Sequence, residues 1–140
     1  MKKKLSEKKL EKKLQLASQL VLRKERKGKM HATIVFVTPK KIQSLNKIYR
    51  KKDSVTDVLS FREFDDDASY LGEIVVCRSQ VRANAREYEV PYDEELVRMV
   101  IHSTLHLLDY DHMKPSDARV MLPLQEKYLS LFLNEYESAQ

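Results

Sequence analysis

Residues 101–112 read IHSTLHLLDYDH, and three of the chain's four histidines fall inside this stretch. Its first part is helical, because Val100, Ile101, Leu105 and Leu108 supply one buried side. His102 and His106 are four residues apart, about one turn, so both imidazoles project from one face. This is the helical two-histidine spacing that grips zinc. His112 follows six residues later. It joins the pair only if the helix ends near Tyr110 and the chain turns back. Asp109 and Asp111 tolerate the left-handed backbone that such a turn needs, and Pro115 blocks easy continuation of the helix. Three neutral imidazoles then converge and leave a fourth position for water, the pattern of a catalytic rather than a structural zinc site. An i, i+4 histidine pair arises easily by chance; the third histidine behind a helix-ending turn is what favours the metal. His31, the fourth histidine, opens a strand and is read as structural.

Working outward, VPYD at 90–93 is a turn, and Asp93, Glu94 and Glu95 place negative charge where the dipole of the histidine helix favours it. Before it, Ser79 is positioned to cap a helix running to about Glu89, with Val81, Ala85 and Tyr88 on one side. YLGEIVVC at 70–77 and TDVLSF at 56–61 read as strands. ATIVFV at 32–37 is continuously apolar, which predicts a strand buried on both faces. Thr38 and Pro39 open a helix whose Ile42, Leu45 and Tyr49 point to the core. Residues 5–27 form a helix with Leu10, Leu14, Ala17 and Val21 on one face, and Gly28 is placed to end it. A last helical region starts near Ser116, restarts or kinks at Pro123, and carries Leu124, Tyr128, Leu131 and Phe132. Asp65–Asp67 lie in the polar connection 62–69 without a calcium-loop pattern, so solvated carboxylates are the better reading. The order α, β, α, β, β, α, α, α gives an α+β fold. We expect a small mixed sheet of about four strands packed with five or six helices, the metal site lying on a central helix and the turn after it.

A chain of 140 residues, 42% apolar and 34% charged, suits one soluble domain over 1–140, with a basic helix at 1–29 and a core at 31–133. One cysteine, Cys77, excludes an intrachain disulfide framework and fits a reducing compartment. No apolar run approaches the ~20 residues needed to span a bilayer, and the lysine-rich start makes a poor signal peptide. A cytoplasmic protein without membrane contact is expected. Residues 1–29 hold 12 Lys/Arg against 3 Asp/Glu, while the remainder holds 14 against 18. A basic arm on a mildly acidic body points to a polyanion such as nucleic acid; a solvated lysine face is the plain alternative.

The spacing H-x3-H-x5-H is also that of metzincin peptidases. Those carry a Glu after the first histidine as general base. Here that position is Ser103, which cannot serve, and their intervening glycine is Asp109. The stretch HSTLHLLDYDH instead resembles the HGxLHLxGYDH signature of the YbeY endoribonuclease family of bacterial rRNA maturation factors. LNKIYRKKDSVTDVLSF at 45–61 is similar to that family's LNxxYRxxDxxTDVLSF, and LGEIVVC at 71–77 to its LGDIVI. The blocks occur in family order, over roughly residues 31–133. The departures are Ser103 and Asp109 in place of glycines and Arg62 in place of a usual proline. The resemblance implies a zinc-dependent, single-strand endoribonuclease acting on the 3′ end of small-subunit ribosomal RNA and in ribosome quality control. It implies His102, His106 and His112 as ligands of one zinc per chain, other divalent metals being possible, and Arg50 as the functional arginine. Zinc lowers the pKa of bound water to about 7, so no carboxylate base is required. Arg50 offers a planar fork suited to phosphate. Asp111 can orient an imidazole or act as a base, and otherwise caps the helix end. Lys51 and Lys52 can track a phosphate backbone. A metallopeptidase and a non-enzymatic ribosome assembly factor with a structural metal are the rival readings.

Overall fold

The computed structural model describes residues 6–63 and 69–139. Five helices and three strands occur among them: α1 Glu7–Lys24, β1 His31–Phe36, α2 Pro39–Arg50, β2 Val58–Arg62, β3 Tyr70–Val76, α3 Arg78–Glu87, α4 Tyr92–Leu107 and α5 Pro115–Ser138. The expected α+β class is present, with three strands in the described residues rather than about four. The sheet is mixed, in the order β1-β3-β2, with β1 parallel and β2 antiparallel to β3. β3 is central, and its burial follows: Leu71, Ile74, Val75 and Val76 are all at 1% exposure or less.

One face of the sheet carries the main core. Leu14, Ala17 and Val21 of α1 meet Ile74 and Val76 of β3 and Leu96, Val100, Ile101 and Leu105 of α4. Met121, Tyr128 and Phe132 of α5 close this core. On the other face Ile42 of α2 packs with Leu59, Val75 and Cys77. The basic helix is therefore no detached arm. Its apolar stripe is fully buried, and Ser18 Oγ lies 2.9 Å from Thr104 Oγ1 in a buried bond to α4. Lys8, Lys9 and Lys12 occupy its solvent side.

Several local expectations change in three dimensions. β1 alternates, with Ala32 buried and His31, Thr33 and Val35 exposed, because it is an edge strand covered on one face only. α1 ends in a left-handed residue, but that residue is Arg26 at φ 60° rather than Gly28. The Lys27 N–H bonds Leu22 O at 2.7 Å and the Arg26 N–H bonds Arg23 O at 3.1 Å, the Schellman closure. Thr38 caps α2 as expected, its Oγ1 accepting from the Lys41 N–H at 3.1 Å. Ile42 is buried, yet Tyr49 is 59% exposed because α2 covers only a narrow strip of sheet; Asn46 takes the buried place. Ser79 does not cap α3, which starts from Cys77 without a side-chain cap, and Tyr88 lies past the helix end and is exposed. α5 runs through Pro123 as one helix. Asp65–Asp67 fall outside the described residues.

Gly72 sits in a tighter place than Gly28, the other glycine. Gly72 has φ +151°, and a Cβ there would stand 2.2 Å from Phe61 O and 3.1 Å from both Arg62 Cα and Leu107 Cδ2. Only glycine lets β2, β3 and the end of α4 come together. Gly72→Ala should lower stability by about 3 kcal/mol or more, read as a reduced denaturant midpoint; a midpoint within error of the parent would mean that this junction relaxes freely.

Candidate metal centre

α4 has two functional sides. Its apolar side is buried to 0% exposure at Leu96, Val97, Val100, Ile101 and Leu105, and this fixes the helix's rotation. Met99, His102, Ser103 and His106 then form an i, i+3, i+4, i+7 stripe on the wall of a cleft of about 820 Å³. The helix stops at Leu107, Asp109 adopts φ 73°, and the N–H groups of Asp109 and Tyr110 bond back to His106 O and Leu105 O, each at 3.0 Å. The expected helix-ending turn is present, and it returns His112 to the other two histidines.

The three rings converge. Their centroids are 4.6 to 4.9 Å apart, and one nitrogen from each lies within 4.8 Å of the others. His102 Nε2 and His106 Nε2 are 3.1 Å apart. Two nitrogens bound to one tetrahedral zinc at ~2.0–2.1 Å would stand about 3.3 Å apart, so the pair has ligand spacing. The donor set also fits: three imidazoles, and no fourth ligand side chain grouped with them among the described residues. His102, His106 and His112 could therefore hold a metal ion.

Electrostatics favour the ligating state. Burial is the first cause that pushes His106 down, to about 4, and the neighbouring His102 and His112 push the same way; a backbone hydrogen bond to Tyr110 opposes them. Burial also lowers His102, against a hydrogen bond to Gln125. Both rings are thus neutral at pH 7, with lone pairs available.

Gln125, on α5, was not legible as a site residue. Its Oε1 lies 2.6 Å from His102 Nδ1, which makes Nδ1 the donor and turns the Nε2 lone pair toward the centre. Gln125 Nε2 in turn donates to Glu126 Oε2 at 3.1 Å. Arg98 binds Glu126 at 3.1 Å and the buried Glu95 at 2.5 Å. Glu95 is pushed up chiefly by its burial, and Arg98 works against that shift. An outer support of this kind orients a metal-binding histidine, and nothing in the periodicity of α5 distinguishes Gln125 from a core position.

The other named residues are placed as follows. Arg50 ends α2 and lines the same cleft as the histidines, with Lys52, Asp57 and Asp111. Its Nη2 donates to Ser60 O at 2.8 Å, and its guanidinium lies 5.3 Å from the Phe61 ring centre. Asn46 braces the loop beside it, its Nδ2 donating to Ser54 O at 3.0 Å. Asp111 Oδ1 accepts from the N–H groups of His112 and Met113 at 2.7 and 3.1 Å. These bonds from Met113 and His112 hold its carboxyl below the usual range. Asp111 thus shapes the backbone of the returning turn, and the hydrogen bond to an imidazole comes from Gln125 instead. Ser103 is buried beside His102, its hydroxyl without a hydrogen-bond partner among the described residues. His31 rests against Tyr70 at 5.2 Å and serves its strand.

A histidine triad on one helix and its returning turn, set in the wall of a cleft with an arginine, defines the class: a small α+β protein with a solvent-accessible metal-type centre. The family model described as Endoribonuclease YbeY matches residues 1–133. An Endoribonuclease YbeY from Macrococcus caseolyticus is 39% identical over 107 residues, covering 71% of this chain and 70% of that one. One from Thermodesulfovibrio yellowstonii is 41% identical over 102 residues, covering 70% of this chain and 64% of that relative. A solution structure from Thermotoga maritima superposes with a TM-score of 0.68 at 34% identity, covering 97% of this chain and 89% of that one. The chain belongs to the YbeY endoribonuclease family. The match includes α1, whose residues precede the three resembling blocks.

Two outcomes follow from the geometry. Gln125→Leu should weaken metal binding about 10- to 100-fold with the helices intact, measured by competition with a chelator; parental affinity would remove Gln125 from the site. For the metal-free protein, the unfolded chain binds more protons than the folded one between pH 6.5, the ordinary histidine value, and about 4. Stability is therefore retained above that window and lost as pH falls through it. The urea midpoint should drop on acidification, and it should drop less in His106→Gln. Equal drops in both would show that carboxylates alone set the acid limit.

Proposed function

We propose that this chain is a metal-dependent endoribonuclease of the cytoplasm, cleaving single-stranded RNA, with small-subunit ribosomal RNA as its substrate and the small ribosomal subunit as its partner. The observation that supports it most is the shared cleft: three converging imidazoles lie in its wall with Arg50 and Lys52. A concavity of about 820 Å³ has room for an unpaired nucleotide and its phosphate.

His102, His106 and His112 would hold one zinc ion per chain through ring nitrogens. Other divalent metals fit imidazole donors, but three histidines with an open position suit zinc. When bound, the metal supplies Lewis-acid polarisation and a hydroxide source near neutral pH. Gln125 fixes the His102 tautomer, and burial keeps the His106 ring deprotonated. Arg50 commits Nη2 to Ser60 O and keeps further N–H donors for the non-bridging oxygens of a phosphodiester, where charge gathers in the transition state. Lys52 adds a screened charge for the flanking backbone. A peptidase reading lacks its base, since Ser103 occupies the required position. A purely structural metal would take a fourth protein ligand, and the described residues group only three.

Arg50→Ala should keep metal and fold and lose on the order of a hundredfold in RNA cleavage, and Arg50→Lys should recover little because an ammonium cannot copy the fork. Chelation should abolish cleavage of single-stranded RNA, and added zinc should restore it, with casein left uncut. Full cleavage by the chelated protein would overturn the metal-dependent reading; a parental rate for Arg50→Ala would pass the burden of charge stabilisation to other groups.

A further inference from the structure

The turn between His106 and His112 carries an L-residue where its backbone favours glycine. Asp109 stands at φ 73°, a conformation costly for any residue with a Cβ. The turn is tied back to α4's last residues, with the Asp109 N–H on His106 O and the Tyr110 N–H on Leu105 O, and His112 follows three residues after Asp109. In the fold this turn is touched by Arg62, the last residue of β2. Arg62 Nη1 donates to Leu107 O, one of the carbonyls left over at the C-terminal end of α4, and lies 3.8 Å from Asp109 Oδ2.

We propose that Arg62 is a positioning residue for the metal centre: it caps the end of α4 and holds Asp109 in its left-handed conformation, and so delivers His112. The two contacts differ in weight. Asp109 is 84% exposed, so its ion pair with Arg62 is weak by itself. The bond to Leu107 O is charge-assisted, comes from a side chain that is only 30% exposed, and sets a positive charge at the negative end of the helix dipole. Gly72 makes the contact possible, since a Cβ at that position would collide with the backbone of Phe61 and Arg62 and with the Leu107 side chain. The Arg62 side chain therefore reaches the helix end from a fixed strand, without a flexible linker to dilute the effect. A second anchor acts on the same turn from the opposite element: the Tyr110 hydroxyl donates to Glu25 Oε1 at 2.6 Å, and Tyr128 of α5 donates to the other oxygen. Arg62 therefore steadies the Asp109 side of the turn and Glu25 the Tyr110 side.

The inference rests on reading the three histidines as a metal centre, and zinc titration of the full chain against a competing chelator separates the two. A parent that binds no zinc would sink the metal reading itself. With a zinc-binding parent, Arg62→Ala should weaken zinc about tenfold or more, the range seen for outer supports of metal ligands. Arg62→Met, which keeps the aliphatic stem against the strand, should show the same loss and thereby separate the guanidinium from packing. Adding Asp109→Gly to either variant should restore most of the affinity, because glycine holds a positive φ without help. A residue acting only on general stability would not be rescued in this way. Parental zinc affinity in Arg62→Met, or a double variant as weak as the single one, would overturn the proposal.

Discussion

The structure depends on how α4 is clamped. Its apolar side is sealed by α1, α5 and the sheet, with five side chains at zero exposure. That burial leaves the helix no rotational freedom, and the hydroxyl bond from Ser18 to Thr104 adds a polar lock on the same rotation. The histidine stripe lies opposite the clamp and inherits its rigidity. A metal centre needs ligand nitrogens held to within a few tenths of an ångström, and loops seldom provide that alone. Here two of the candidate ligands stand on the well-buried helix α4, and the third arrives through a turn closed by two backbone hydrogen bonds.

The surroundings of the centre serve the neutral form of the His102 and His106 rings. Desolvation makes protonation of His102 and His106 unfavourable, so the same burial that stabilises the helix prepares its imidazoles. Gln125 accepts a hydrogen bond without bringing a negative charge next to the ring. Further out, the three carboxylates of Glu94, Glu95 and Glu126 share the guanidinium of Arg98. The lining of the cleft sets the cations Arg50 and Lys52 beside the carboxylates Asp57 and Asp111.

Much of this was legible in the chain. The i, i+4 spacing places His102 and His106 on one face, because helix geometry is local. The apolar face of α1, the Thr38–Pro39 helix start and the acidic first turn of α4 were legible for the same reason: each depends on residues within a turn or two. Even the return of His112 could be read, from two aspartates and a following proline. The misreadings share one cause. ATIVFV looks buried on both faces until its place at the sheet edge is known. Tyr49 and Tyr88 continue apolar periodicities past the point where another element covers them. Gly28 resembles a helix stop, but the closing turn had already formed at Arg26.

What the sequence by itself determined is the set of local choices: where helices and strands form, which residues share a face, and that three imidazoles can meet. Motifs in family order carried the chemistry further than any periodicity. What only the tertiary structure decided is which distant residues stand beside that face. Gln125 reaches His102 from 23 residues away, Arg62 reaches Leu107 from 45, and Glu25 reaches Tyr110 from 85. A side chain has no local signature for a partner that the fold brings to it, since hydrogen bonding depends on distance in space and pattern depends on distance along the chain.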